Sequence, residues 1–363
     1  MTTSAQPSSA AVRPPEEGVT CNWRVRVGWA LATAAIVFGC AALGLLIGVI
    51  HVGPIAVLQD VVSHVPFLHI SSPLSDTEQS VLWQVRLPRV VLAGLVGGML
   101  ALGGAAYQGA FSNPLADPYL LGVAAGAGLG ATVAIVFARG AAFLGVPLLP
   151  VAAFLGGAVA VLMAYGVGRS VGAGRNSTTL ILGGVAVASF LTAMQTFLQQ
   201  TDTDTLREIY DWILGRLVVS GWSEVLLVLP YIAISAAVIL LHGRLLDVLA
   251  LGDEAADALG VRAARTRLWI VVAVTLGTAA AVSVSGLIGF VGIIVPHAIR
   301  LLGGSSYRRL LPLSAAFGAA FLILCDLASR TVLDPAELPI GVVTAAVGAP
   351  FFAVVLRSSR RTS

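Results

Sequence analysis

Long apolar runs alternate with short polar breaks along almost the whole chain. The run from Val27 to Ile50 holds 24 residues without a charge. A helix needs about 20 apolar residues to cross the hydrocarbon core of a bilayer. Similar runs recur to the C-terminus, so lipid is the solvent for most of this chain. The pattern predicts an all-α membrane protein with ten spans, at about 27–50, 90–110, 119–138, 148–168, 179–199, 222–241, 268–284, 286–302, 311–329 and 339–356. Residues 268–302 divide into two spans least sharply. Residues 1–22, rich in Ser, Thr, Ala and Pro, read as a disordered tail. Residues 23–358 form one ten-span unit, and 359–363 a short second tail.

Arginine placement tests this topology. All 21 basic residues are arginine. With a cytoplasmic N-terminus, fifteen fall inside and six (Arg86, Arg89, Arg139, Arg207, Arg216 and Arg330) outside. Cytoplasmic loops carry the excess of positive charge, so the split favours an even count with both termini cytoplasmic. Trp23, Trp29, Trp83, Trp212, Trp222 and Trp269 lie near span ends, as an interfacial aromatic belt requires.

Three connections exceed tight turns. The first expected outer loop runs from His51 to Pro88. Thr201 to Gly221 carries Asp204, Glu208, Tyr210, Asp211 and Trp212 in a pattern suited to a short interfacial helix. Arg244 to Arg267, expected inside, reads as two short amphipathic helices broken at Gly252 and Gly260, with Asp253, Glu254 and Asp257 at helical spacing. Such a pair suits either docking of a soluble partner or a plain solvated connector.

Composition narrows the function classes. The chain is 57% hydrophobic and 11% charged, against roughly 25% charged in soluble domains. Mean hydropathy is +0.93. No polar stretch is long enough to fold separately. The pI near 9.0 follows from membrane topology; no basic patch interleaves with aromatics as nucleic-acid binding requires. Cys21, Cys40 and Cys325 lack C-x-x-C spacing, so neither a disulfide nor a metal site is expected. Val37-Phe38-Gly39-Cys40 resembles a lipoprotein cleavage box, but the apolar run continues to Ile50, longer than a signal core. An uncleaved first span is expected.

Lysine is absent, so no G-x-x-x-x-G-K-[ST] phosphate loop exists. ATP drive, if any, must come from another polypeptide. No Ser-His-Asp, Cys-His or paired-carboxylate constellation is visible; the chain reads as no enzyme. His51, His64 and His69 share a loop without ligand spacing, and His297 has no evident partners. Gly122, Gly126 and Gly130 stripe one helix face, and Gly94 with Gly98 another, as close helix packing requires.

Asn113-Pro114-Leu115-Ala116-Asp117-Pro118 forbids a continuous helix and makes a rigid break at the cytoplasmic end of two glycine-rich spans. Arg86-Leu87-Pro88-Arg89 presents two guanidiniums suited to lipid phosphate or an acidic protein surface. Asp326 and Arg330 stand at i, i+4, which favours an intrahelical pair; an intramembrane carboxylate is also a candidate proton carrier.

These pieces together resemble the FecCD family, permease subunits of type II ABC importers for iron-siderophores, haem and cobalamin. The resemblance runs from about Trp83 to Phe352. It is carried by Arg86-Leu87-Pro88-Arg89, by Gln108 with the 113–118 segment and Leu121-Gly122, and by Leu182-Gly183-Gly184-Val185-Ala186. Further matches are Trp212-Ile213-Leu214-Gly215, Leu251-Gly252-Asp253 with Leu259-Gly260-Val261, Gly286 to Gly292 with Pro296-His297 and Arg300, and Glu337-Leu338-Pro339-Ile340-Gly341 with Gly348-Ala349-Pro350-Phe351. The resemblance implies a ten-span bundle in the bacterial cytoplasmic membrane that pairs with a second copy or paralogue. It implies two ABC ATPase subunits below, which hold the ATP and Mg²⁺, and an extracytoplasmic substrate-binding protein above.

By motif position, Arg86, Arg89 and Arg330 would meet acidic residues of the binding protein. Asn113 and Leu115, with Ser177 and Thr178, would form the cytoplasmic gate. Leu251, Gly252, Asp253, Glu254, Asp257, Leu259 and Gly260 would seat in the ATPase as coupling helices. Asp247 departs from the family, where many relatives carry Asn. The implied function is ATP-driven uptake of a ferric siderophore; haem or cobalamin are alternatives in the same class. From a different class, a proton-coupled secondary transporter using Asp326 is the alternative.

Overall fold

On one long helix small residues face inward and a large apolar residue faces outward, the reverse of the water-soluble pattern. In the helix Leu148–Ser170, Ala153, Gly157, Ala160, Ala164 and Gly168 are buried, while Leu162 is 71% exposed. Lipid removes the incentive to bury leucine, and backbone proximity drives packing instead. The computed structural model describes residues 23–48, 53–63, 72–143, 145–170, 177–219, 221–333 and 336–359. The tail 1–22, Cys21, His51, His64 and His69 lie outside the described residues.

In chain order the helices are α1 (Trp23–Leu46), α2 (Pro54–Ser63), α3 (Asp76–Val81), a π turn (Leu82–Arg86), α4 (Leu87–Ala110), α5 (Val123–Phe137), α6 (Leu148–Ser170), α7 (Ser177–Thr201) and α8 (Leu206–Ile213). There follow α9 (Ser223–Leu241), α10 (Gly243–Leu249), α11 (Asp253–Ala258), α12 (Ala263–Ser285), α13 (Val291–Gly303), α14 (Tyr307–Ser329) and α15 (Ile340–Ser359). A two-residue antiparallel hairpin, β1 (Ala142–Phe143) with β2 (Val146–Pro147), joins α5 to α6. Six described helices are long and apolar enough to cross a membrane. Four shorter apolar helices, Leu31–Leu46, Val123–Phe137, Val291–Leu302 and Ile340–Val355, fall on the remaining expected spans.

The core sits around α4, which is buried along most of its length. A Cβ on Gly97 would overlap the Gly318 carbonyl of α14, and one on Gly126 would overlap the Gly156 carbonyl of α6. Gly98, Gly126 and Gly130 approach backbone carbonyls as the expected stripes require, whereas on α4 the closest approach falls on Gly97 and Gly94 has room to spare. The break between 268–284 and 286–302 is real: α12 stops at Ser285, and Phe290 opens α13 at φ 69°.

The first outer connection holds more structure than the sequence suggests. The loop after His51 contains α2, whose Asp60 carboxylate accepts hydrogen bonds from Gln79 Nε2 at 2.9 Å and Trp83 Nε1 at 2.7 Å. The second span begins early, because Asp76–Ala110 is one rod of 35 residues. Its start is set by a capping box, in which Glu78 N–H donates to Ser75 Oγ and Ser75 N–H to the Glu78 carboxylate.

Candidate functional site

Polar side chains gather at the two ends of the bundle and along one face of α7. At the end expected to be outer, Arg89 of α4 reaches Asp326 of α14 at 2.9 Å and grips both Glu337 oxygens at 3.0 Å. Arg330 pairs with Asp326 at 3.3 Å, the i, i+4 contact that the spacing predicts. Arg330 also donates to the Gly44 and Ile47 carbonyls, at 2.7 and 3.3 Å. Arg86 donates to Leu45 O at 2.8 Å. Two guanidiniums therefore cap the C-terminus of α1, where cations are favoured. Arg89 holds the Glu337 carboxyl below its ordinary value.

The expected docking arginines thus turn inward in the single chain; Arg86 is 5% exposed. Their guanidiniums serve helix ends and carboxylates, an arrangement that i, i+3 spacing in Arg86 and Arg89 could not reveal. Asp326, 1% exposed and flanked by two guanidiniums, is fastened in place. A proton carrier has to exchange with water, so this geometry does not favour that role.

The opposite end carries a second network. Gln108, near the C-terminus of α4, donates to Gly292 O at 3.1 Å and Ala116 O at 3.3 Å. Its Oε1 accepts from Arg300 at 2.5 Å, and Arg300 also donates to Tyr307 Oη at 3.0 Å. The turn between α4 and α5 is shaped by side chains: Asn113 Oδ1 accepts from Leu115 N–H, and Asp117 Oδ1 from Tyr119 N–H. Burial pushes the Asp117 carboxyl up to about 6, against the pull of that N–H. Asn113 and the exposed Leu115 share this turn, whereas Ser177 and the exposed Thr178 open α7.

The segment expected to couple forms the two predicted helices, α10 and α11. Gly252 and Gly260 break it at φ 102° and 76°, conformations that glycine adopts without strain. Leu249, Ala256 and Ala263 make a small core under it. Leu251 and Leu259 point away, 68% and 63% exposed. Glu254 and Asp257 are exposed, and Asp253 pairs with Arg267 at 2.6 Å.

Sequence reasoning missed the face of α7. Gly183, Gly184, Val187, Leu191 and Gln195 form its one buried stripe. Ser189, Thr192, Thr196 and Gln200 are exposed at helical spacing, and no charge occurs between Ser177 and Thr201. The Ser189 and Thr196 hydroxyls donate to carbonyls of their own helix, leaving a neutral, weakly polar surface. The signal was present as hydroxyl and amide residues recurring at i, i+3, i+7 and i+11.

The model of the FecCD transport family matches residues 34–358. The cobalamin import system permease protein BtuC of Halobacterium salinarum is 42% identical over 282 residues, covering 78% of this chain and 74% of that protein. The Fe(3+) dicitrate transport system permease protein FecD of Escherichia coli is 35% identical over 318 residues, covering 88% and 94%. A chain solved in an inward-facing conformation, from a transporter assigned to the metal-chelate ABC type, superposes with a TM-score of 0.79 at 30% identity. That match covers 92% of this chain and 99% of the other.

Proposed function

Because the chain belongs to the FecCD transport family, we propose that it is the transmembrane permease subunit of an ATP-driven ABC importer, with a ferric siderophore as its cargo. The observation that carries this reading is the short helical pair α10 and α11, whose Leu251 and Leu259 are exposed beside acidic Glu254 and Asp257. Apolar tips on a charged, glycine-jointed segment suit a groove on a soluble partner. That partner is an ABC ATPase, which supplies the ATP and Mg²⁺ chemistry this lysine-free chain cannot.

Two copies, or this chain and a paralogue, face each other across the conduit in a bacterial cytoplasmic membrane, with both termini inside. The neutral stripe Ser189, Thr192, Thr196 and Gln200 lines the path. It solvates a chelate without gripping it, since a tight site would trap the cargo. Asn113, Leu115, Ser177 and Thr178 close the inner end. A binding protein delivers from outside, onto the end where Arg86, Arg89 and Arg330 gather. ATP closure of the ATPases draws α10 and α11 together and tilts the spans.

Cobalamin is a second reading, favoured by the higher identity to the permease named for it; haem belongs to the same class. The test is uptake into proteoliposomes of the assembly purified through a tag on this chain, with ferric hydroxamate, haemin and cobalamin as probes. ATP-dependent accumulation of ferric hydroxamate supports the reading, and accumulation of another probe reassigns the cargo. Uptake driven by a proton gradient without ATP overturns it.

A further inference from the structure

Among the described residues, Arg267, Ser112 and Asp247 make hydrogen-bonded ties between segment 243–258 and the rest of the bundle, and each lies outside the expected coupling and gate sets. Arg267, buried at the start of α12, donates through Nη2 to Asp253 at 2.6 Å and through Nε to the Ala110 carbonyl at 2.8 Å. Its planar fork holds both acceptors at once, which a lysine cannot reproduce. Ser112 donates to Leu249 O at 2.9 Å. It does so at φ 49°, a left-handed conformation that a non-glycine residue adopts only at a cost. Asp247 of α10 accepts from Ser306 Oγ at 3.1 Å and Tyr307 N–H at 2.5 Å. It thereby caps the N-terminus of α14 from another element. Asparagine, with one acceptor oxygen, would make this cap weaker.

All three ties lead to the 110–116 turn. Ala110 and Ser112 belong to it directly. The Asp247 tie reaches it through Tyr307, Arg300 and Gln108, which donates to Ala116 O. We propose that Arg267, Asp247 and Ser112 are positioning residues that lock segment 243–258 and the turn 110–116 into one mechanical unit, so that movement imposed on α10 and α11 is delivered to Asn113 and Leu115. This rests on the importer reading above. Beside these polar links, Leu246 of α10 is fully buried in the main core next to Gly109 of α4, and the polar links add direction to that apolar contact.

The test uses the full assembly, with Cys21, Cys40 and Cys325 replaced by alanine and a spin label at Ala258→Cys or Leu115→Cys, two exposed sites. ATP with a phosphate-mimicking trap is the probe. In the otherwise unaltered protein both labels should respond. In Arg267→Gln the label at 258 should respond fully, while the response at 115 falls about threefold or more, as expected when one link of a coupled network is cut. Arg267→Lys should restore part of it. A full response at 115 in Arg267→Gln overturns the proposal. If Arg267→Gln does not assemble, Asp247→Ala and Ser112→Ala are read the same way, and a full response at 115 in the pair combined also overturns it. Silence of both labels in the unaltered protein would instead sink the importer reading, and this proposal with it.

Discussion

Arg89 and Asp326, 237 residues apart in sequence, meet at 2.9 Å between α4 and α14 with the aspartate 1% exposed. Around this contact α1, α4, α14 and the segment before α15 are held by one set of charges. Removing Arg89 leaves Asp326 with Arg330 alone and Glu337 without its clamp, a smaller loss than the about 3–5 kcal/mol of a buried charge left wholly unpaired. Arg89→Ala should therefore lower the unfolding temperature of the detergent-purified protein more than Asp326→Asn does. The double variant should be less damaging than the sum of the two. Additive losses would show that the residues do not act together.

Acid should loosen the same end. Arg89 depresses the Glu337 carboxyl below its ordinary value of 4.5. A depressed acid contributes stability that is fully present above the unfolded value and lost as pH falls through the folded one. Unfolding temperature should thus decline below about pH 4.5, and Glu337→Gln should flatten part of that decline. Glu337 is half exposed, so its share is about 1 kcal/mol or less. An identical acid limb in the variant would remove Glu337 from the account.

Glycines of one helix should respond oppositely to the same change. A Cβ on Gly104 would overlap the Gly292 backbone, whereas one on Gly94 meets nothing nearer than Ile323 Cδ1 at 3.7 Å. Gly94→Ala should be neutral or stabilising by up to about 1 kcal/mol, the helix-propensity gain. Gly104→Ala should push α4 from α13 and destabilise by about 1–3 kcal/mol. Thermal melts of the two variants decide it.

The exposed Leu251 and Leu259 of the α10–α11 segment permit a clean test of docking. Leu251→Asp and Leu259→Asp alter side chains with little intramolecular packing, so the fold should persist. Recovery of the ATPase with tagged permease should drop about tenfold or more, as loss of a buried apolar anchor at an interface does. Unchanged recovery in both would place the ATPase contact elsewhere.

Much of this architecture was written locally in the chain. The spans follow from apolar runs, the turn at 113–118 from two prolines, α10 and α11 from their glycines, and the Asp326–Arg330 pair from a four-residue spacing. What escaped was non-local. Nothing near Arg89 points to Asp326 or Glu337, and nothing near Asp247 points to the start of α14. The helix α2 was hidden in a loop because it buries only a few residues, Val57 and Asp60 among them. The exposed face of α7 was masked by its apolar average, within which four polar residues are diluted.

The π turn at Leu82–Arg86 has its own consequence. There Leu87 N–H bonds to Leu82 O, so the Trp83 carbonyl would look one residue further, to Pro88, which has no hydrogen to give. The indole of Trp222 fills that need at 3.1 Å. Each residue in a helix turns the side chains after it by about 100°, so this one widened coil sets the direction in which Arg86 leaves the rod. The aim of a guanidinium at the start of one span thus depends on a tryptophan at the start of another. Drift at position 222 would be felt as a twist far upstream, with no charged residue altered.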